Sequence, residues 1–383
     1  MKNMKVKVLI SCICILMAII ATGCSNAKPP APTTLKEALA DKFYIGVALN
    51  SHHFWERDST GAAIVRKHFN SIVAENVMKP QPMQPREGEF NFRDADRFVE
   101  FGEENGMHIV GHTLIWHSQL PRWFFFDDYG NDVTPEVLTE RMRTHIHTIV
   151  GRYRGRVHSW DVVNEAFTND GSWRQTGFYR ILGEEFVALA FQFAHEADPY
   201  ARLYYNDYNE WFPEKRDAIV RLVRNLQERG IRIDGVGMQG HMGTGHPCIV
   251  QYEEAILAFA GTGVDVMITE FDMSILPYAW GSIGAEISYS FEYQARLNPF
   301  ADGVPDDVKE VWTNRVLDFF SLFMRHHEHI SRVTVWGVSD DGSWLNNFPV
   351  RGRTDYPLLF DRNHQPKQVV EEIIRLANSK SGR

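Results

Sequence analysis

Two glutamates close apolar runs in this chain. Glu165 ends the run WDVVNEA, residues 160–166, and Glu270 stands inside ITEFD, residues 268–272. A carboxylate left alone in an apolar interior is costly, so each must emerge into a cleft or be paired inside the core. Neither is surrounded by metal-ligand spacing. Two carboxyls opposed across one bond can divide a reaction between them. One protonates a leaving oxygen while the other attacks or activates water, the division of labour of glycoside hydrolysis. A carboxyl separation of about 5–5.5 Å would make that chemistry retaining.

The elements that must position them are short and apolar or β-branched. Eight such runs recur, at 43–50, 71–76, 108–116, 158–166, 201–209, 235–242, 265–273 and 332–340. Helical periodicity lies between them: 93–106 sets Phe98 and Phe101 on one face, and 140–153, 177–199 and 214–230 show the same spacing. The 177–199 stretch reads as one long helix stopped by Pro199, and the 214–230 helix ends at Gly230. Strands alternating with helices imply parallel pairing. Eight βα units predict a single α/β domain, a closed (β/α)8 TIM barrel, with a doubly wound open sheet as the rival.

In such barrels the active site sits at the C-terminal ends of the strands. Most of the expected strands end in polar groups there. The second ends at Glu75 and Asn76 with Lys79 beyond; the third carries His112, Trp116, His117 and Gln119; the fourth ends at Asn164 and Glu165. The fifth ends Asn206-Asp207-Tyr208-Asn209, the sixth holds Gln239 and His241, the seventh ends Glu270-Phe271-Asp272, and the eighth gives Trp336, Asp340 and Trp344. Paired buried charges are often neutral or unfavourable for stability, so so many on one rim point to binding. Polar groups interleaved with tryptophans suit a sugar, whose C–H faces stack on aromatics and whose hydroxyls need donors and acceptors.

WDVVNEA, ITEFD, ENVMK, GHTLIWHSQ and VWGVSDDGSW, in that order, resemble the family 10 endo-β-1,4-xylanases from about Tyr44 to the last helix. The resemblance implies retaining cleavage of internal bonds in xylan and xylo-oligosaccharides, with no cofactor and no metal. It makes Glu165 the general acid/base and Glu270 the nucleophile. It has Asn164 hold the sugar 2-hydroxyl, His241 and Asp272 orient and ionise Glu270, and Gln239 support the pair. Glu75, Asn76, Lys79, His112 and Gln119 become the polar grip on the non-reducing side. Trp116, Trp336 and Trp344 wall the cleaved sugar, and Tyr208 stacks on the leaving-group side. Two other readings share the same residues: a retaining β-1,4-glucanase on this barrel, and a surface lipoprotein that binds xylan without cutting it. ENVMK and GHTLIWHSQ favour xylose, which lacks the 6-hydroxymethyl that Trp336 and Trp344 would crowd.

The chain departs from the family pattern in places. Pro80 follows Lys79 where the family usually has Trp, which is expected to alter that wall. TEFD stands for TELD, and a long connection, 274–305, follows the seventh strand and is expected to extend the leaving-group side. Other residues have plainer readings. His326, His327 and His329 suit a helix C-terminus, and His145 and His147, two apart on a helix, face different sites. His52 or His53 could line the cleft. Trp123, Trp173 and Trp312 read as packing, Cys248 as an inert thiol, and EENG and DRNHQ as turns.

The N-terminus reads as a targeting segment. Lys2, Lys5 and Lys7 precede an apolar run shorter than the roughly 20 residues a membrane span needs, and then Ala21-Thr22-Gly23-Cys24. Residues 1–23 resemble a lipoprotein signal peptide, Cys24 a lipidation site, 24–34 a Pro-rich tether, and 35–383 one catalytic domain. Losing 1–23 removes three lysines and no acids, moving the net charge from −9 to −12. No basic run suits nucleic acid. Only Cys248 would remain unmodified, so no intrachain disulfide is expected. The expectation is an exported monomer, held to a bacterial membrane only through lipid at Cys24, whose membrane face stays open.

Overall fold

In the computed structural model the described residues are 32–277 and 297–379. The expected signal peptide, Cys24, the tether up to residue 31 and the middle of the 274–305 connection lie outside them.

Eight parallel strands close into a ring with helices between them. In chain order they are β1 (Tyr44–Leu49), β2 (Ser71–Ala74), β3 (His108–Trp116), β4 (Ser159–Asn164), β5 (Arg202–Asp207) and β6 (Gly235–Met238). A three-residue strand, β7 (His241–Gly243), comes next, then β8 (Asp265–Ser274) and β9 (Ile330–Val335). Each of β1 to β5 pairs with the next, β6 pairs with β8, β8 with β9, and β9 returns to β1. The expected barrel is therefore the observed one, with β8 and β9 as its seventh and eighth strands.

Two elements differ from the sequence expectation. The sixth strand does not run unbroken from 235 to 242. It stops at Met238, and β7 resumes pairing with β8 three residues later, after Gly240 takes φ 77°. The long helix expected over 177–199 is two helices, Gly177–Leu182 and Glu185–Ala197, because Gly183 adopts φ 62° between them. A left-handed backbone cannot continue a right-handed helix, and glycine enters it without steric cost.

The helices form where the sequence supplies both a stripe and a stop. Arg93–Glu104 buries Phe98, Val99 and Phe101 and carries Asp94 and Asp96 in its first turn, where the helix dipole favours acids. Pro135–Arg152 begins with proline behind a Thr134 side chain that accepts from the Val137 N–H. Pro213–Glu228 also opens with proline, behind Phe212 and with no side-chain cap. The described core falls into a large cluster shared by strands and helices and a small one of Ala48, Val73, Val110 and Trp336. Trp123, Trp173 and Trp312 all pack in or against the large one, and Trp312 donates to the Met273 carbonyl at 2.8 Å. Among the described residues no helix is long and apolar enough to cross a membrane.

Candidate active site

The C-terminal ends of the strands surround one cleft of about 500 Å³. Every residue expected to act in catalysis or substrate binding lines it. Glu75, Asn76 and Lys79 come from the end of β2, His112, Trp116 and Gln119 from β3 and its exit, and Asn164 and Glu165 from β4. Tyr208, Gln239, His241, Glu270, Asp272, Trp336 and Trp344 complete the circle. His117, Asp340, His52 and His53 are not among the lining residues. Asp340 is instead fully buried, bonded to the Leu358 N–H at 2.9 Å and paired with Lys367 at 2.9 Å. Its position at a strand end reflects packing, not the rim.

Backbone geometry answers how an apolar strand delivers Glu165. Successive side chains on a strand alternate between faces, so Asn164 and Glu165 should diverge. Glu165 has φ 60°, in the left-handed region that non-glycine residues rarely occupy. Its N–H is held by the Asn206 carbonyl at 2.9 Å, and that turn brings both side chains into the cleft. On β8, Glu270 and Asp272 face the cleft while Phe271 is buried in the core, and the register against β9 shifts between Ile268 and Phe271.

The two carboxyls have opposite surroundings. Glu165 accepts from Trp116 Nε1 at 2.8 Å and Gln239 Nε2 at 2.9 Å, and it is buried. Burial pushes its pKa above the usual carboxylate value, and the Arg174 charge and these hydrogen bonds oppose that without cancelling it. Glu270 is equally buried, which alone would push it up. The His241 hydrogen bond and the charges of His112, His241 and Lys79 outweigh burial and hold it below the ordinary value. Its Oε1 accepts from Asn206 Nδ2 at 2.9 Å and its Oε2 meets His241 Nε2 at 3.2 Å.

His241 is the hinge of that arrangement. Its Nδ1 lies 3.0 Å from Asp272 Oδ2, which also accepts from Trp344 Nε1 at 2.8 Å. Burial opposes charge on the imidazole, but Asp272 and Glu270 raise its pKa to about 10, so it is an imidazolium at neutral pH. Lys79 bonds Asn76 Oδ1 at 3.0 Å and lies 5.0 Å from the Trp116 ring centroid. Pro80 is buried and opens the short helix Pro80–Met83, so the departure from the family pattern leaves Lys79 in the cleft.

A hydrogen-bonded chain joins the two carboxyls beneath the cleft. Gln239 Nε2 reaches Glu165 and, at 3.3 Å, Asn164 Oδ1; Asn206 Nδ2 reaches Asn164 Oδ1 at 3.0 Å and Glu270. Asn206 was named among the strand ends but given no role; its signal is its register opposite Asn164 on the adjacent strand. Asp161 was missed too. It sits opposite His112 in the ladder and meets its Nδ1 at 2.9 Å, and a lone acid inside WDVV was the available sign. Arg174, which donates to the Glu165 carbonyl at 3.1 Å and to the Tyr208 hydroxyl at 2.8 Å, comes from a loop with no such sign.

Ser274 at the end of β8 and Leu276 and Pro277 just after it line the cleft, and residues 278–296 of the connection lie outside the described residues. Among the described residues no three His, Cys, Asp or Glu side chains are grouped to hold a metal. His326 pairs with Glu253 at 2.7 Å, His145 bonds buried Gln84 at 2.7 Å, and His147 meets Glu196 at 3.2 Å.

The model of the glycosyl hydrolase family 10 matches residues 34–376. "Endo-1,4-beta-xylanase A" of Xylanibacter ruminicola is 48% identical over 343 residues, covering 90% of this chain and 93% of the relative. "Endo-1,4-beta-xylanase" of Geobacillus stearothermophilus is 40% identical over 345 residues, covering 90% and 98%. Among solved structures, a GH10 endoxylanase from a sugarcane soil metagenome superposes with TM-score 0.86 at 44% identity, covering 89% of this chain and 99% of that one. With such a match over nearly all the described chain, on a closed parallel barrel, the chain belongs to glycosyl hydrolase family 10.

Proposed function

We propose that the protein is an endo-acting, retaining hydrolase of the internal β-1,4-xylosidic bonds of xylan. The observation that carries the reading is the opposed electrostatics of Glu165 and Glu270 in one cleft. A general acid must begin protonated and a nucleophile ionised, and their surroundings favour those states. In the first step Glu270 attacks the anomeric carbon while Glu165 gives its proton to the departing glycosidic oxygen. A glycosyl ester forms on Glu270 and the leaving-group half of the chain departs. In the second step Glu165, now a carboxylate, takes a proton from water as the water oxygen displaces Glu270 from the same carbon. Two inversions give net retention.

The other side chains fit supporting roles. His241, charged and backed by Asp272, keeps Glu270 ionised, and Gln239 and Trp116 fix Glu165. Asn164 holds the sugar 2-hydroxyl. Lys79, Glu75, Asn76, His112 and Gln119 grip the non-reducing side, Trp116, Trp336 and Trp344 wall the cleaved sugar, and Tyr208 stacks beyond it. New reducing ends released by the full-length protein test the reading, on xylan and on carboxymethylcellulose. Xylan alone cut supports it; cellulose cut instead would transfer the mechanism to a glucanase. Xylan bound with no new ends would leave a binding protein.

The same proposal covers delivery. Residues 1–23 act as an export signal, Cys24 carries lipid, 24–34 tether a monomeric catalytic domain, and the membrane is met only through that lipid. Detergent partitioning of wild type against Cys24→Ser tests it; identical partitioning would refute the anchor.

A further inference from the structure

The mechanism above leaves several buried acids unused, Glu210 among them. Glu210 is fully buried one turn beyond β5 and does not line the cleft. Asn209 before it takes φ 56°, and asparagine is among the few side chains that tolerate this region. Glu210 Oε1 accepts the backbone N–H of Gln239 at 2.5 Å, beside the bond that this N–H also makes to the Asp207 carbonyl at 2.9 Å. On the other side of the same residue, the Gln239 carbonyl accepts the Glu270 N–H at 2.7 Å. The Gln239 side chain then reaches Glu165 at 2.9 Å.

Gln239 lies between β6 and β7, just before left-handed Gly240, with its backbone bonded to the strands on both sides. Its side chain aims a catalytic group, and a 1 Å error in such a group can cost about 10²-fold. We propose that Glu210 is a positioning residue for the reaction: by clamping the Gln239 amide from beneath, it fixes the side-chain amide that aims Glu165. The inference rests on the reading of Glu165 as the acid.

The group is suited to that part as a neutral acid. Burial, and then repulsion from Asp207, push its pKa up to about 8 against the opposing charge of Lys215. Lys215 itself is committed to Asp207 at 2.5 Å. Among the described residues, Glu210 Oε2 and the nearby Tyr252 hydroxyl are both buried without a hydrogen-bond partner. A glutamine would match the uncharged carboxyl in shape and still offer one acceptor to Gln239.

The test compares Glu210→Ala, Glu210→Gln and Glu210→Asp with wild type. The substrates are xylan and two aryl β-xylobiosides, one with a good and one with a poor leaving group. Glu210→Ala should lower kcat on xylan by about tenfold to a hundredfold with KM within about twofold. A good leaving group needs little proton donation, so kcat/KM should fall at least about fivefold less on the activated glycoside than on the poor one. Glu210→Gln should recover kcat to within about threefold, whereas Glu210→Asp, too short to reach Gln239, should behave like Glu210→Ala. If Glu210→Ala does not fold, the Gln and Asp pair decides alone. Equal losses on both glycosides, or Glu210→Asp as active as Glu210→Gln, would overturn the inference. Wild type that cleaves none of these substrates would remove the xylanase reading, and the inference with it.

Discussion

Around Glu165 the cleft supplies two neutral donors, Trp116 and Gln239, with the Arg174 charge near by; around Glu270 it supplies the His241 imidazolium, backed by Asp272, with Lys79 near by. Both carboxyls are buried, so desolvation alone would push both pKa values up. The walls differ in net compensation. On the β4 side it falls short and Glu165 stays above the ordinary value, while on the β8 side it exceeds burial and Glu270 ends below it. Two like residues thus acquire unlike chemistry from their neighbours, the pattern by which one site runs acid and nucleophilic steps at the same pH.

The largest expected effect comes from removing the ionised partner. Glu270→Ala should lower kcat on xylan by at least about 10⁴-fold, since no covalent step remains. An active Glu270→Ala without an added nucleophile would break the comparison outright. Glu165→Ala should lose about 10²–10⁴-fold on xylan yet keep attacking aryl xylosides with good leaving groups, because those depart without a proton. Initial rates across a leaving-group series check this; a flat dependence would contradict it.

His241→Ala sharpens the β8 side. Glu270 must be ionised, so the acid limb of kcat/KM follows its pKa in the free enzyme. Losing the imidazolium removes the leading influence that holds that pKa down, so the limb should move to higher pH, with kcat down about 10²-fold. A limb that moves down or stays would show that His241 does not stabilise the carboxylate. Trp116→Phe sharpens the β4 side with a smaller effect. Its hydrogen bond favours ionised Glu165, and the acid must be protonated. Removing the bond should raise that pKa and carry the alkaline limb to higher pH, with about a tenfold loss of kcat or less. A downward shift would reverse the sign assigned to this contact.

Much of this was legible from the chain because strand ends are marked by abrupt polarity. The runs closing at Glu75, Asn164 and Glu270 carry both the strand and its catalytic-face terminus in one reading. What stayed hidden depended on local backbone or on register. Nothing in GFYRILGEEF announces that Gly183 will turn left-handed, since glycine is tolerated inside helices at modest cost. The split of the sixth strand at Gly240 is of the same kind. Asn206 joins the site because the ladder sets it opposite Asn164, and Glu210 because Asn209 folds it under Gln239. Neither relation can be read from one strand alone. Asp340 misled in the other direction: its strand-end position matched the rim, but Lys367, from the start of the last helix, claims it.

The most direct test of the division between the walls is the anomeric configuration of the azide adduct. Glu165→Ala and Glu270→Ala would each be given an activated aryl β-xylobioside with sodium azide, and the product read by proton NMR. With Glu270 gone, azide attacks once from the face the nucleophile used, and the account predicts the α-glycosyl azide. With Glu165 gone, Glu270 still forms the ester and azide displaces it, and the account predicts the β-glycosyl azide. The same configuration from both variants, or the two reversed, would contradict the assignment.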